Sequence, residues 1–254
     1  MKKRWICALL GALLLLAGCE GKSAAPAEGA AVIIGARGQT VTARVVQAGE
    51  TVLLAGLRAP HTDVYAVPER ELLGAGVSAD DLKAGALLLL SFDGGVEETF
   101  PARLGEIDAA VLPEDGYDGL CSLYLAVLDD LWEKDPALHA QISRIGFDLG
   151  STRLSDSEAA ALAWAFAQAH GEKDVVHGTW QELAEQGILD GENLYWEDGV
   201  LLSIREKNAA DGEVRFDAEM WRSGLGAYLL NDCDSRRLLG GAWEPYTVGS
   251  EAIS

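Results

Sequence analysis

The sequence is short of the residue patterns that announce a catalyst. It has no His-Glu-x-x-His for a peptidase zinc, no Gly-x-x-x-x-Gly-Lys-Ser/Thr phosphate loop and no Gly-x-Ser-x-Gly nucleophile elbow. Gly74-Ala-Gly-Val-Ser-Ala79 fits G-x-G-x-x-A as a string. Its flanks offer neither the preceding strand nor the long following helix that a dinucleotide fingerprint needs, so a loop is expected there. Basic residues are scarce as well, 20 Lys and Arg against 40 Asp and Glu, for a formal charge of −20. A polyanion would be repelled rather than gain from counterion release, which excludes nucleic acid as a partner and anionic headgroups as an electrostatic anchor. The acidity is spread without a long run of one sign, the pattern of a solvated surface. No fixed-period repeat occurs, and past the N-terminus no apolar run is long enough for a bilayer.

What is present begins with an address. Lys2, Lys3 and Arg4 precede an apolar stretch from Ile6 to Leu16, of secretory-signal length and too short for a spanning helix. It ends in Leu16-Ala17-Gly18-Cys19, which resembles the lipobox of bacterial lipoproteins. That resemblance implies a signal peptide over 1–18, lipidation of Cys19, and residence on the outer face of the cell membrane. Each buried methylene contributes about 0.8 kcal/mol, so two or more acyl chains make a durable anchor where one is marginal. Residues 19–29 are small and polar and read as a flexible tether. The first eighteen residues take three of the 20 basic residues and none of the 40 acidic ones, leaving a mature charge of −23.

Cys7 lies in the signal, so Cys121 and Cys233 are left as a possible disulfide outside the cytoplasm. A bridge closing so long a loop adds about 4 kcal/mol in the chain-entropy model. Two buried free thiols are the other option, and nothing in the spacing decides.

From 30 to 112 the pattern is β. Thr40 to Gln47 and Thr51 to Leu57 form a hairpin, Val64 to Val67 a third strand, Ala86 to Phe92 a strongly apolar fourth, and Val96 to Phe100 a fifth after Asp93-Gly94-Gly95. Short strands with tight turns suggest a small OB-like β-barrel. Phe92-Asp-Gly-Gly-Val-Glu-Glu-Thr-Phe-Pro-Ala-Arg103, with Leu82-Lys-Ala-Gly85 before the strand, is similar to the closing hairpin of the YobA-like family. These are small extracytoplasmic β-domains of unknown function, common in Gram-positive bacteria. The resemblance implies an OB-type fold and carries no catalytic residue with it.

Pro113 to Gly119 is turn-rich and marks the expected boundary of an α+β domain over 113–254. A helix is expected from Leu120 to Trp132, a strand over 144–149, and a second helix opened by the Ser155-x-x-Glu158 capping box and stopped at Gly171. Asp174 to His177 reads as a strand and Thr179-x-x-Glu182 as another capping box. Strands at 199–206, 213–220 and 242–248 complete an expected antiparallel sheet covered by the helices.

Three groups stand out for function. His170, Glu172, Asp174 and His177 are the densest set of metal-ligand types, with His170, Asp174 and His177 as the candidate ligands, although a seven-residue gap across a glycine turn is unlike the one-turn spacing of hydrolytic zinc sites. Trp196, Trp221 and Tyr228 lie on the proposed sheet and can line a groove for a glycan or peptide. Asp190-Gly-Glu-Asn193, with Glu197 and Asp198, has calcium-ligand types but not the spacing of a known calcium loop, and reads as a turn. The expectation is a non-enzymatic lipoprotein that binds a protein or small ligand and needs no cofactor, with a metal-dependent envelope hydrolase at 170–177 as the alternative.

Overall fold

The computed structural model describes residues 38–171 and 173–254. The expected signal peptide, Cys19, the tether and Glu172 lie outside the described residues.

Alternating small apolar residues build the first sheet. In β1 (Gln39–Gln47), Val41, Ala43 and Val45 turn inward. β2 (Thr51–Gly56) pairs antiparallel along one side of β1, and β3 (Val64–Pro68) extends the sheet and runs straight into α1 (Glu69–Gly74). β4 (Leu87–Phe92) takes the other side of β1. A small hairpin of β5 (Val96–Glu97) and β6 (Arg103–Leu104) leads to β7 (Ile107–Val111), which pairs with β4. The order is β3-β2-β1-β4-β7, antiparallel throughout.

This sheet curls into a half-barrel around Tyr65, Leu72, Leu88 and Phe92. Two contacts draw its edges together. Ala102 exchanges backbone hydrogen bonds with Val64 and Ala66 on the β3 side at 2.8 and 2.9 Å, and Ala110 of β7 donates to the Ala75 carbonyl at 2.9 Å. The strand expected over 96–100 stops at Glu97. There the Thr99 N–H turns back to the Glu97 carbonyl, and Pro101 has no N–H to continue a ladder.

The rest of the chain surrounds a larger sheet. α2 (Leu120–Lys134) buries Leu123, Tyr124, Val127, Leu128 and Leu131 in one stripe. β8 (Arg144–Asp148), α3 (Asp156–Ala169) and β9 (Asp174–His177) follow, then α4 (Trp180–Glu185) and three long strands, β10 (Gly199–Ala210), β11 (Glu213–Ser223) and β12 (Gly226–Arg236), and last β13 (Ser250–Ile253). The order is β13-β12-β11-β10-β8-β9.

Two expectations need correction here. The sheet is mixed rather than antiparallel, because β8 runs parallel to both β10 and β9. Parallel neighbours need a crossover connection, which α3 supplies between β8 and β9, and side-chain alternation carries no sign of strand direction. The last strand is β13, not 242–248. Thr247 makes only an isolated bridge to Asp234 of β12 and Trp243 one to Arg237 just past its end, with Pro245 interrupting the run.

α3 joins the two sheets. Its Ser155 side chain accepts from the Glu158 N–H and Glu158 accepts from the Ser155 N–H, which closes the capping box read from the sequence. Leu162 and Phe166 enter the core of the larger sheet, while Ala161 and Ala165 lie against Val46, Leu53, Ala55 and Val64 of the half-barrel. Burying a large apolar side chain contributes about 1.5–3 kcal/mol, so the larger sheet holds α3 more strongly. The alanines let the half-barrel approach closely. All described residues fall in one compact unit, and a separate domain past residue 112 is not shown.

Candidate functional site

The expected sites are dispersed by the fold. Trp196 is 1% exposed and lies flat over two glycines. A Cβ at Gly146 would come within 2.8 Å of its ring and one at Gly199 within 2.1 Å, so both positions are held open for the indole. Its Nε1 donates to Asp198 at 3.1 Å. Trp221 and Tyr228 point to opposite faces. Tyr228 sits opposite Met220 in the ladder and shares the α2 side with it, whereas Trp221, one residue on, faces α4. The three do not line one groove. Period-two alternation along β11 and across to β12 was the signal that could have separated them.

The metal arrangement does not form either. The His170 ring packs 4.2 Å from that of Phe166 and its Nε2 is 2.9 Å from Asp129 of α2. Asp174 and His177 occupy opposite ends of β9, about 10 Å apart at strand rise. Among the described residues no group of three or more His, Cys, Asp or Glu is placed to hold a metal ion. Asp190 accepts from the backbone of Glu192 and Asn193 and from the Asn193 amide, which makes 190–193 a self-contained turn.

Cys121 and Cys233 are free, so the possible disulfide is not made. Cys121 lies among Val46, Ala161 and Ala165, and Cys233 lies in the other core with Phe216. Burial raises both thiols, Cys233 to about 12.

One hollow is made of residues that their types did not flag. A cleft of about 860 Å³ runs beside α2, between its outer face and the segment 242–248. Leu123 and Leu230 form part of its floor, and Tyr117, Trp243 and Tyr246 supply aromatic walls. The wall positions are fixed by hydrogen bonds. Trp243 Nε1 donates to Asp118 at 3.0 Å and the Tyr246 hydroxyl donates to Asp130 at 2.6 Å. Burial and this carboxylate raise the Tyr246 pKa, so the phenol stays protonated. At one end Gly241, with φ of 88°, presses so close to Tyr117 that a Cβ would lie 2.1 Å from the Tyr117 carbonyl oxygen.

Charge in this cleft is mainly acidic. Asp130, Glu133 and Glu244 line it, and its single ammonium, Lys134, is tied to Glu251 at 2.8 Å. Its long dimension follows α2 from Gly119 to Lys134, about 22 Å at helical rise.

Two smaller hollows flank α4. One, of about 310 Å³, is walled by Trp180 and Trp221. The other, of about 300 Å³, lies past the carboxyl ends of β8 and β9 and holds Asp148, Asp156, His177 and Glu182. There burial raises the Asp148 pKa and lowers that of His177, although the His177 side reaches solvent. No nucleophilic Ser, Thr or Cys hydroxyl or thiol is hydrogen-bonded to either group among the described residues.

No family model, curated protein or solved structure matches this chain.

Proposed function

We propose that the chain is an extracytoplasmic lipoprotein, anchored through Cys19, that binds a cationic segment of a partner protein in the cleft along α2. The cleft carries this reading: it is long, apolar at its base, aromatic at its walls and acidic along its rim. The polar atoms of Trp243 and Tyr246 are already bonded within the protein, so there a ligand meets preformed walls rather than groups that must be reorganised. The acidic surface steers a basic partner toward the rim and repels anionic ones.

On the same reading the half-barrel is of the OB type. Its central strand β1 lies between β2 and β4, a helix follows the third strand, and its edges approach each other, all features that support a small partly open barrel. The YobA-like resemblance of 82–103 points the same way. A non-catalytic role fits the dispersal of the His and Asp candidates described above.

Two measurements test this proposal. Metabolic labelling with a fatty acid should tag the chain and fail for Cys19→Ser. In calorimetry, a ten-residue peptide of alternating Lys and Leu should bind in a salt-dependent manner, and Ala126→Trp, which fills the cleft from the exposed face of α2, should weaken it at least tenfold. Equal binding by the two proteins removes the cleft from the mechanism.

A further inference from the structure

The outer face of the larger sheet carries a second hollow, separate from the cleft along α2 and independent of that proposal. Trp221 of β11 and Trp180 at the start of α4 meet edge to face, with ring centroids 6.0 Å apart and planes at 88°. Each indole is half-buried, so each keeps part of its surface toward the hollow. Leu201, opposite Trp221 in the ladder, is part of the wall, and Leu194, 47% exposed, also lines it.

The polar end of this hollow is made by Arg205 and Glu219. They face each other diagonally across β10 and β11, with Arg205 Nη2 donating to Glu219 at 3.3 Å. The pair is formally neutral, with N–H donors and carboxylate oxygens side by side. An ionic ligand gains little from it, because either charge on the ligand meets its like as well as its opposite. A hydroxylated ligand gains from both, since each hydroxyl donates once and accepts twice.

We infer that the hollow between Trp180 and Trp221 is a binding site for one ring of a neutral saccharide. The C–H groups on one face of a pyranose are weakly positive and meet the negative face of an indole, while the ring's hydroxyls reach Arg205 and Glu219. The right angle between the two indoles provides a base and a side wall, a shape suited to a flat ring. At about 310 Å³ the hollow is at the small end of the range for ligand pockets, too small for a folded peptide segment. The base of a nucleotide would also stack there, but the nucleotide's phosphates would approach a chain of net charge −20.

The test uses the full chain, kept in solution by a detergent without a sugar headgroup. It is titrated calorimetrically with maltotriose, cellotriose and the trimer of N-acetylglucosamine, with a trilysine peptide as charged control. At least one saccharide should bind saturably, and Trp221→Ala should weaken it tenfold or more. Arg205→Met alters an exposed side chain, and Leu194→Asn suits a position whose φ is 51°. Both variants should keep the wild-type melting temperature and lose binding at least threefold. Binding of no saccharide in the panel, or binding that these three variants leave unchanged, overturns the assignment.

Discussion

Arg44 of β1 and Glu158 of α3 form an ion pair at 2.8 Å between the half-barrel and the helix that covers the larger sheet. The same glutamate closes the α3 capping box through its other oxygen, which accepts from the Ser155 N–H at 2.9 Å. Arg44 also donates to the carbonyls of Gly85 and Gly116, at 3.1 and 2.9 Å, so its guanidinium gathers three separate segments. Both side chains are mostly buried, 14% and 12% exposed. Removing one partner therefore strands the other in a poorly solvated place. Arg44→Met is expected to cost about 3 kcal/mol, the lower end for a broken buried pair, measured as a shift in the urea midpoint. A change below about 0.5 kcal/mol would mean that water replaces the arginine freely, as at a surface bridge.

The seat of Trp196 predicts a second effect. Gly199→Ala places a methyl against the indole with no flexible neighbour to give way, and is expected to destabilise the chain by about 1–3 kcal/mol. Gly150→Ala is the control, since a Cβ there meets nothing within 4 Å. Thermal melting of the two variants should separate them by several degrees.

Both core thiols should be silent in the folded chain. With Cys233 raised to about 12 and Cys121 raised too, the thiolate fraction at pH 8 is negligible and access is closed. Iodoacetamide should leave peptides containing Cys121 and Cys233 unmodified without denaturant and label both in urea, as read by mass spectrometry. Labelling of either in the native chain would show that its cluster opens readily.

The pH dependence of stability turns on His139. Its ring stacks on Trp132 at 3.8 Å and 12°, and its Nε2–H donates to the Trp132 carbonyl at 2.9 Å. Burial lowers its pKa, against smaller upward contributions from backbone groups and Asp135. The unfolded chain then takes up the proton first. Its share of stability is complete above about 6.5, the unfolded value, and is lost as pH falls through the folded pKa. His177 shifts in the same direction. Asp148, raised by burial, acts in the opposite sense but only nearer the carboxylate range. Between about pH 7.5 and 5.5 the melting temperature should therefore fall on acidification, and fall less in His139→Phe. An identical fall in both proteins would assign the effect elsewhere.

Much of the local structure was legible because it depends on near neighbours. The two S/T-x-x-E boxes start α3 and α4 where the spacing places them, at Asp156 and Trp180. The apolar stripe of α2 and the alternation of β11 appear as read. Errors fell where a long-range partner decides. The parallel placement of β8 and β9 depends on α3 crossing between them, and the failure of 242–248 to form a strand depends on what β12 can accept beside Pro245. Among the candidate sites, Trp221 kept a place at a hollow, with Trp180 rather than Trp196 or Tyr228 beside it.

The sequence alone determined composition, periodicity and caps: an acidic chain without a recognisable catalytic motif, its main helices, and most of its strands. Hydrogen bonds over three or four residues and the two-residue alternation of a strand are properties of the chain itself. Tertiary structure alone decided which side chains meet. It turned His170 toward Asp129, separated Cys121 from Cys233, buried Trp196 over Gly146 and Gly199, and opened the cleft along α2. Those outcomes depend on the packing of residues far apart in the chain, where small-residue positions and strand direction set distances that no local spacing records.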